Sequence, residues 1–138
     1  MRILFDTNII IDVVCKREPW AAQSIELLSL ADKGDIEGIL CATTITTMHY
    51  LLSSKLGREI AQREIKRFLN VFTIAAVDHR VLSAAESSGF SDFEDAVLYV
   101  AACRSGADAI LTRNTKDFKH AKLPVYDPHE LHVIKFGV

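Results

Sequence analysis

A chain of 138 residues is one ordinary domain's length, and 49% hydrophobic with 25% charged residues is the makeup of a globular protein with enough apolar side chains for a full core. The formal charge of −2 argues against coating nucleic acid by bulk electrostatics. The longest apolar stretch, Ala96 to Cys103, is far shorter than the roughly 20 residues of a membrane-spanning helix, so no membrane association is expected. Asp6 and Asp12 interrupt the start where a signal peptide would be apolar, which reads as cytoplasmic. Cys15, Cys41 and Cys103, odd in number and without a Cys-x-x-Cys pair, read as reduced core thiols.

In chain order, Arg2 to Phe5 reads as a buried strand and Ile9 to Val14 as helical. Trp20 to Lys33 is a second helical stretch, with Glu18-Pro19 as a break before it and Gly34 as a stop after it. Gly38 to Ala42 is the second strand. Helices follow over Thr44 to Lys55 and Glu59 to Asn70, parted by Gly57. Thr73 to Val77 is a strand, and Asp78 opens a helix over His79 to Ser88. Ser91 to Arg104 is the clearest helix, Ala109 to Thr112 a strand, and Val125-Tyr126 a short one. Asp127-Pro128-His129-Glu130 has the pattern of a capping box with proline at the first helical position. With no repeat, low-complexity tract or linker, residues 1–138 read as a single domain, and strands separated by helices imply an α/β fold with a parallel sheet.

Acids stand where strands and helices change over. Asp6 follows the first strand, and Asp92 and Asp95 begin a helix. Asp117 lies beyond the late strand in Thr112-Arg113-Asn114-Thr115-Lys116-Asp117-Phe118. Open parallel sheets gather ligands at the carboxyl ends of their strands, and a hard divalent cation needs oxygen donors, so acids scattered in sequence suit a metal-dependent nuclease. Each also has a plainer role. Asp6 could cap a helix, Ser91 and Glu94 have capping-box spacing, and the late loop could be only a structured turn. On the helix, Asp92 and Asp95 are three apart and share a face, while Glu94 points elsewhere as the capping partner. Arg113, Lys116 and Lys119, with Lys122, cluster around Asp117; Arg58, Arg63, Lys66 and Arg67 recur along one polar helix. Either group is a candidate to hold RNA phosphates or a solvated surface.

Taken together, Asp6-Thr7-Asn8, Asp92-Phe93-Glu94-Asp95-Ala96 and Thr112 to Phe118, in this order and spacing, resemble the PIN-domain nucleases, in particular the VapC-like toxin ribonucleases. The resemblance implies a PIN-like three-layer α/β/α fold with a central parallel sheet. It also implies a Mg²⁺- or Mn²⁺-dependent endoribonuclease, a homodimer, and a small antitoxin protein as partner. Matched residue by residue, it gives Asp6 and Asp95 the main metal-ligand roles, Asp92 an added acidic role, Asp117 the last acid, and Asn8, Thr112 and Asn114 supporting roles. Single-stranded or looped RNA is the implied substrate, since an exposed backbone enters an acidic cleft that a regular duplex fits poorly.

Two positions depart from the family's pattern. Members usually carry an acid in the helix after the second strand, where this chain has Thr47, and many carry an aspartate where Asn114 stands. The alternative is therefore a degenerate, non-catalytic module that binds RNA or protein. His49 reads as a packed or surface residue rather than a substitute base. A phosphoryl-accepting domain with Asp6 as nucleophile is disfavoured, because no second acid follows closely and no glycine-rich phosphate loop is present.

Overall fold

Short strands with apolar residues pointing both ways need cover on both faces, and the computed structural model, which describes residues 1–138, supplies it with helices on each side. The strands are β1 (Arg2–Phe5), β2 (Glu37–Cys41), β3 (Thr73–Ala75), β4 (Ala109–Leu111) and β5 (Val125–Tyr126). All pair in parallel, in the order β3-β2-β1-β4-β5. Ile3, Phe5, Leu40 and Leu111 enter one core with residues of α1 (Thr7–Val14), α2 (Ala21–Lys33), α3 (Ala42–Leu56), α4 (Arg58–Val71) and α7 (Pro128–Phe136). Leu4, Ile39, Cys41 and Ile110 enter the other with α5 (His79–Glu86) and α6 (Phe93–Arg104). The result is the three-layer α/β/α sandwich expected from the sequence.

Alternation assigns each strand residue its side, so a one-residue slip would exchange the two cores. On the second face α6 lies close to the sheet because Ala96, Ala101 and Ala102 are buried where larger side chains would hold it away. On the first, Gly38 of β2 leaves room for Phe72, since a Cβ there would lie 2.5 Å from the ring's Cε1. Phe72 in turn packs edge-on against Phe5, with ring centroids 5.2 Å apart.

Element ends differ from the sequence reading by one or two residues. The helix expected to run to Ser88 stops at Glu86, where Ser88 Oγ donates to the Ala85 carbonyl at 2.8 Å and competes with the helix's own bonds. The helix expected to start at Ser91 starts at Phe93, capped by Asp92. Asp127 and Glu130 form the expected capping box, each side chain accepting the other's backbone N–H, with Pro128 at the first turn. No helix is long and apolar enough to cross a membrane.

Candidate active site

The strand order reverses direction between β1 and β4, and a parallel sheet opens a crevice at such a switch point, beyond the carboxyl ends of the strands. Phe5 and Leu111 are paired across it, and the next residue on each strand carries the first functional contact. Thr112 donates its hydroxyl to Asp6 Oδ2 at 2.7 Å, both groups buried, and accepts the Asn114 N–H at 3.1 Å. Asp6 occupies the position before α1 but makes no side-chain capping bond; its carboxylate is committed to Thr112. Burial raises its pKa above the ordinary 3.8, the Thr112 bond opposes that rise, and the charges of Glu94 and Asp117 add to it.

Asp6 lies in the wall of a cavity of about 370 Å³ that also receives Asp92, Glu94 and Asp95 from the start of α6, and Asn114 and Asp117 from the segment after β4. Phe118, 2% exposed in the second core, anchors the one-turn 3₁₀ helix Thr115–Phe118 and so fixes the neighbouring Asp117. Asn8 and Ile11 of α1, Leu51 of α3 and Arg17 complete the lining with Thr7, whose hydroxyl meets that of Thr44 at 2.8 Å. Asp95 shows the field these acids create. Its pKa is pushed up to about 7, first by burial and then by the charges of Asp6, Asp92, Asp117 and Glu94.

The start of α6 corrects the sequence reading. Asp92 is the cap itself, just ahead of the helix, its Oδ1 accepting the Asp95 N–H at 2.9 Å, and it meets Asp95 at one cavity. A carboxylate there satisfies an open N–H and meets the positive end of the helix dipole, so Asp92 takes the role assigned to Ser91. That frees Glu94 from capping, and it lines the acidic cavity. Thr47, on the same face of α3 as Thr44 and Leu51 by its spacing, is half-buried and does not line the cavity, and α3 contributes no acid.

The cations also divide differently. Arg113, expected among the phosphate-holding residues, is bound through its guanidinium to both oxygens of Asp12, whose side chain is fully buried, and lies over the Trp20 ring at 4.1 Å from the centroid. Lys116 and Lys119 are exposed beside Asp117, whereas none of Arg58, Arg63, Lys66 and Arg67 on α4 reaches the cavity. The cation that lines it is Arg17, brought back by a turn in which Lys16 adopts a left-handed φ of 52°. Arg17 and Glu94 carried no clear sequence signal. Asp12 did: an acid inside Ile9-Ile10-Ile11-Asp12-Val13-Val14 must find a partner if that helix is buried.

A family model described as PIN domain matches residues 2–116. The chain belongs to the PIN domain family. Ribonuclease VapC1 of Aquifex aeolicus (strain VF5) is 30% identical to it in a 137-residue alignment that covers 94% of this chain and 92% of that protein. Among solved structures, VapBC2 from Rickettsia felis, bound to a DNA fragment from its promoter, superposes with a TM-score of 0.70 over 92% of this chain and 98% of that one at 18% identity. VapBC-1 from nontypeable Haemophilus influenzae superposes with a TM-score of 0.68 over 94% and 99% at 16% identity. At such identities the structural likeness carries the PIN fold, while the sequence match to a VapC makes this PIN domain VapC-like.

The donors of this PIN domain fit a hard cation. Five carboxylates and two amide groups line the cavity, with neither histidine nor cysteine among them, and one arginine is the sole positive charge. No three acids, histidines or cysteines converge into a ready-made ligand set. The acids ring the space instead, which suits an ion such as Mg²⁺ that keeps several waters and takes one or two carboxylates.

Proposed function

We propose that this VapC-like PIN domain, residues 1–138, is a Mg²⁺- or Mn²⁺-dependent endoribonuclease that cuts single-stranded or looped RNA. The observation that carries the reading is the gathering of Asp6, Asp92, Glu94, Asp95 and Asp117 around one cavity at the switch point of the sheet, where their mutual repulsion calls for a cation. The sequence match to a protein named ribonuclease supports the same reaction.

In this reading Asp6 and Asp95 hold the ion, Asp6 oriented by Thr112, and Asp92, whose Oδ1 caps α6, adds its charge and holds the ion's waters. A divalent cation in such a site stabilises charge on phosphate oxygens and lowers the pKa of water. Asp117, exposed at the rim, orients the attacking water and accepts its proton, and Asn8 and Asn114 position the strand by amide hydrogen bonds. Lys116 and Lys119 hold flanking phosphates as exposed point charges.

Calorimetric titration with Mn²⁺ tests the site: the chain binds, and Asp95→Asn weakens binding at least about tenfold, because one anionic oxygen fewer faces a hard cation. Equal binding by both proteins would overturn the assignment.

The chain also forms a homodimer and binds a small antitoxin protein, since relatives of this fold include VapBC assemblies and an unfilled carboxylate cluster attracts an arginine fork. Light scattering and co-expression with the adjacent gene product check both; a monomer at high micromolar concentration, or no complex, would contradict them. A non-catalytic binding module is the second reading, favoured by the lack of any acid from α3 in the cavity. It predicts RNA retention without cleavage.

A further inference from the structure

Beside the acidic cavity lies another of about 330 Å³, lined by Trp20, Gln23, Arg113, Asp127, Pro128 and His129. Arg113 joins the two. It sits between Thr112 and Asn114 in the chain, its backbone N–H faces Asn8 Oδ1 at 3.5 Å, and its side chain turns away into the second cavity. There the guanidinium is paired with Asp12, which Arg17 also approaches at 3.9 Å, and lies 4.1 Å from the Trp20 ring centroid. Trp20 remains 40% exposed despite that cover, although large aromatic rings usually find burial.

The cavity thus offers two flat surfaces, an indole and a guanidinium whose charge is already paired with Asp12. Gln23 and His129, 3.4 Å apart through Nε2 and Nδ1, add hydrogen-bonding groups, and Asp127 is engaged in capping α7. A phosphate would meet a paired arginine and a carboxylate. A neutral planar heterocycle would stack on the rings and hydrogen-bond at its edge, as unstacked bases do on aromatic and arginine planes.

We propose that this cavity is a subsite for an unstacked nucleobase of the strand whose backbone crosses the acidic cavity; the proposal rests on the ribonuclease reading above. Base stacking on an aromatic side chain typically changes affinity roughly 5- to 100-fold when the ring is removed.

Trp20 is the only tryptophan, so intrinsic fluorescence reports directly on the subsite. The whole chain carrying Asp95→Asn, which holds RNA uncut, is titrated with short single-stranded oligoribonucleotides, and Trp emission is followed. Binding is measured in parallel by anisotropy of an end-labelled strand. Expected are saturable quenching by strands with bases, none by an abasic strand of equal length, binding weakened within the range above by Trp20→Ala, and binding largely kept by Trp20→Phe. Anisotropy that shows binding while emission stays constant would overturn the subsite and leave the ribonuclease reading standing, as would equal quenching by the abasic strand. No binding to any RNA by this variant at saturating Mn²⁺ would overturn both. If Trp20→Ala fails to fold, the emission of the Trp20-containing protein still decides.

Discussion

Asp6 stands where a helix cap is expected and does not cap; its carboxylate goes to Thr112 and its pKa rises. This distinguishes a site from a turn, because a capping aspartate would be stabilised in its charged form, as Asp78 is by the Val81 N–H that lowers its pKa. Asp95 carries the same signature more strongly. Its pKa near 7 in the folded chain lies above the ordinary 3.8, so between these values the folded protein holds a proton that the unfolded chain has released. Stability from this group is therefore fully present below about pH 4 and is lost as pH rises towards 7. In metal-free buffer, Asp95→Asn should melt higher than the parent chain at about pH 8, with the gap closing by about pH 4. Equal thermal midpoints at both pH values would show that neither burial nor the neighbouring acids penalise the charge of Asp95. Asp6 was legible because it follows an apolar run at a strand-to-helix change, Asp95 because it opens the clearest helix, and Asp117 because it lies in the polar loop beyond a late strand. Sequence spacing cannot say which of Ser91 and Asp92 caps α6, and a shift of one residue turns Glu94 from capping partner to cavity wall.

The helices and strands were the most legible part, because their periods are written in where the apolar residues fall. Strand β1 was read over Arg2 to Phe5 and found there, and α7 began at the predicted capping box. Ends were less so: Ser88 and Ser91 sit where side-chain hydrogen bonds compete with the backbone's, and that competition is decided by geometry. Packing between elements was not legible at Gly38, which in sequence marks only the start of a strand. In the fold it is the residue that lets Phe72 lie against β2 and Phe5. Gly38→Ala should cost about 1–3 kcal/mol, because Phe72 is itself held by Phe5 and Phe68 and cannot swing away. Urea unfolding measures this; a loss below about 0.5 kcal/mol would mean that the aromatic cluster yields more readily than a close-packed core does.

Across the whole molecule, a modest net charge of −2 conceals a strong division. Acids collect at the carboxyl ends of β1 and β4, and exposed Lys116 and Lys119 flank them, so the charge changes sign between the rim and the centre. The parallel topology makes this possible: reversal of strand order between β1 and β4 brings Asp6 to Thr112, more than a hundred positions later. That convergence was legible only as a rule about parallel sheets, whereas the pairing of Arg113 with Asp12 was not, since it depends on how α1 and the segment after β4 meet. We propose above that these acids form a metal-dependent ribonuclease centre. Its most direct test is cleavage of single-stranded RNA by the purified chain and by Asp95→Asn, each with Mn²⁺, with Mg²⁺ and with EDTA, alongside a thermal midpoint to confirm folding. Expected are cleavage by the parent chain with either metal, none with EDTA, and a loss of at least about a hundredfold in the folded variant. Cleavage that survives EDTA or the substitution, or a folded parent chain that binds RNA and cuts none with either metal, would contradict it.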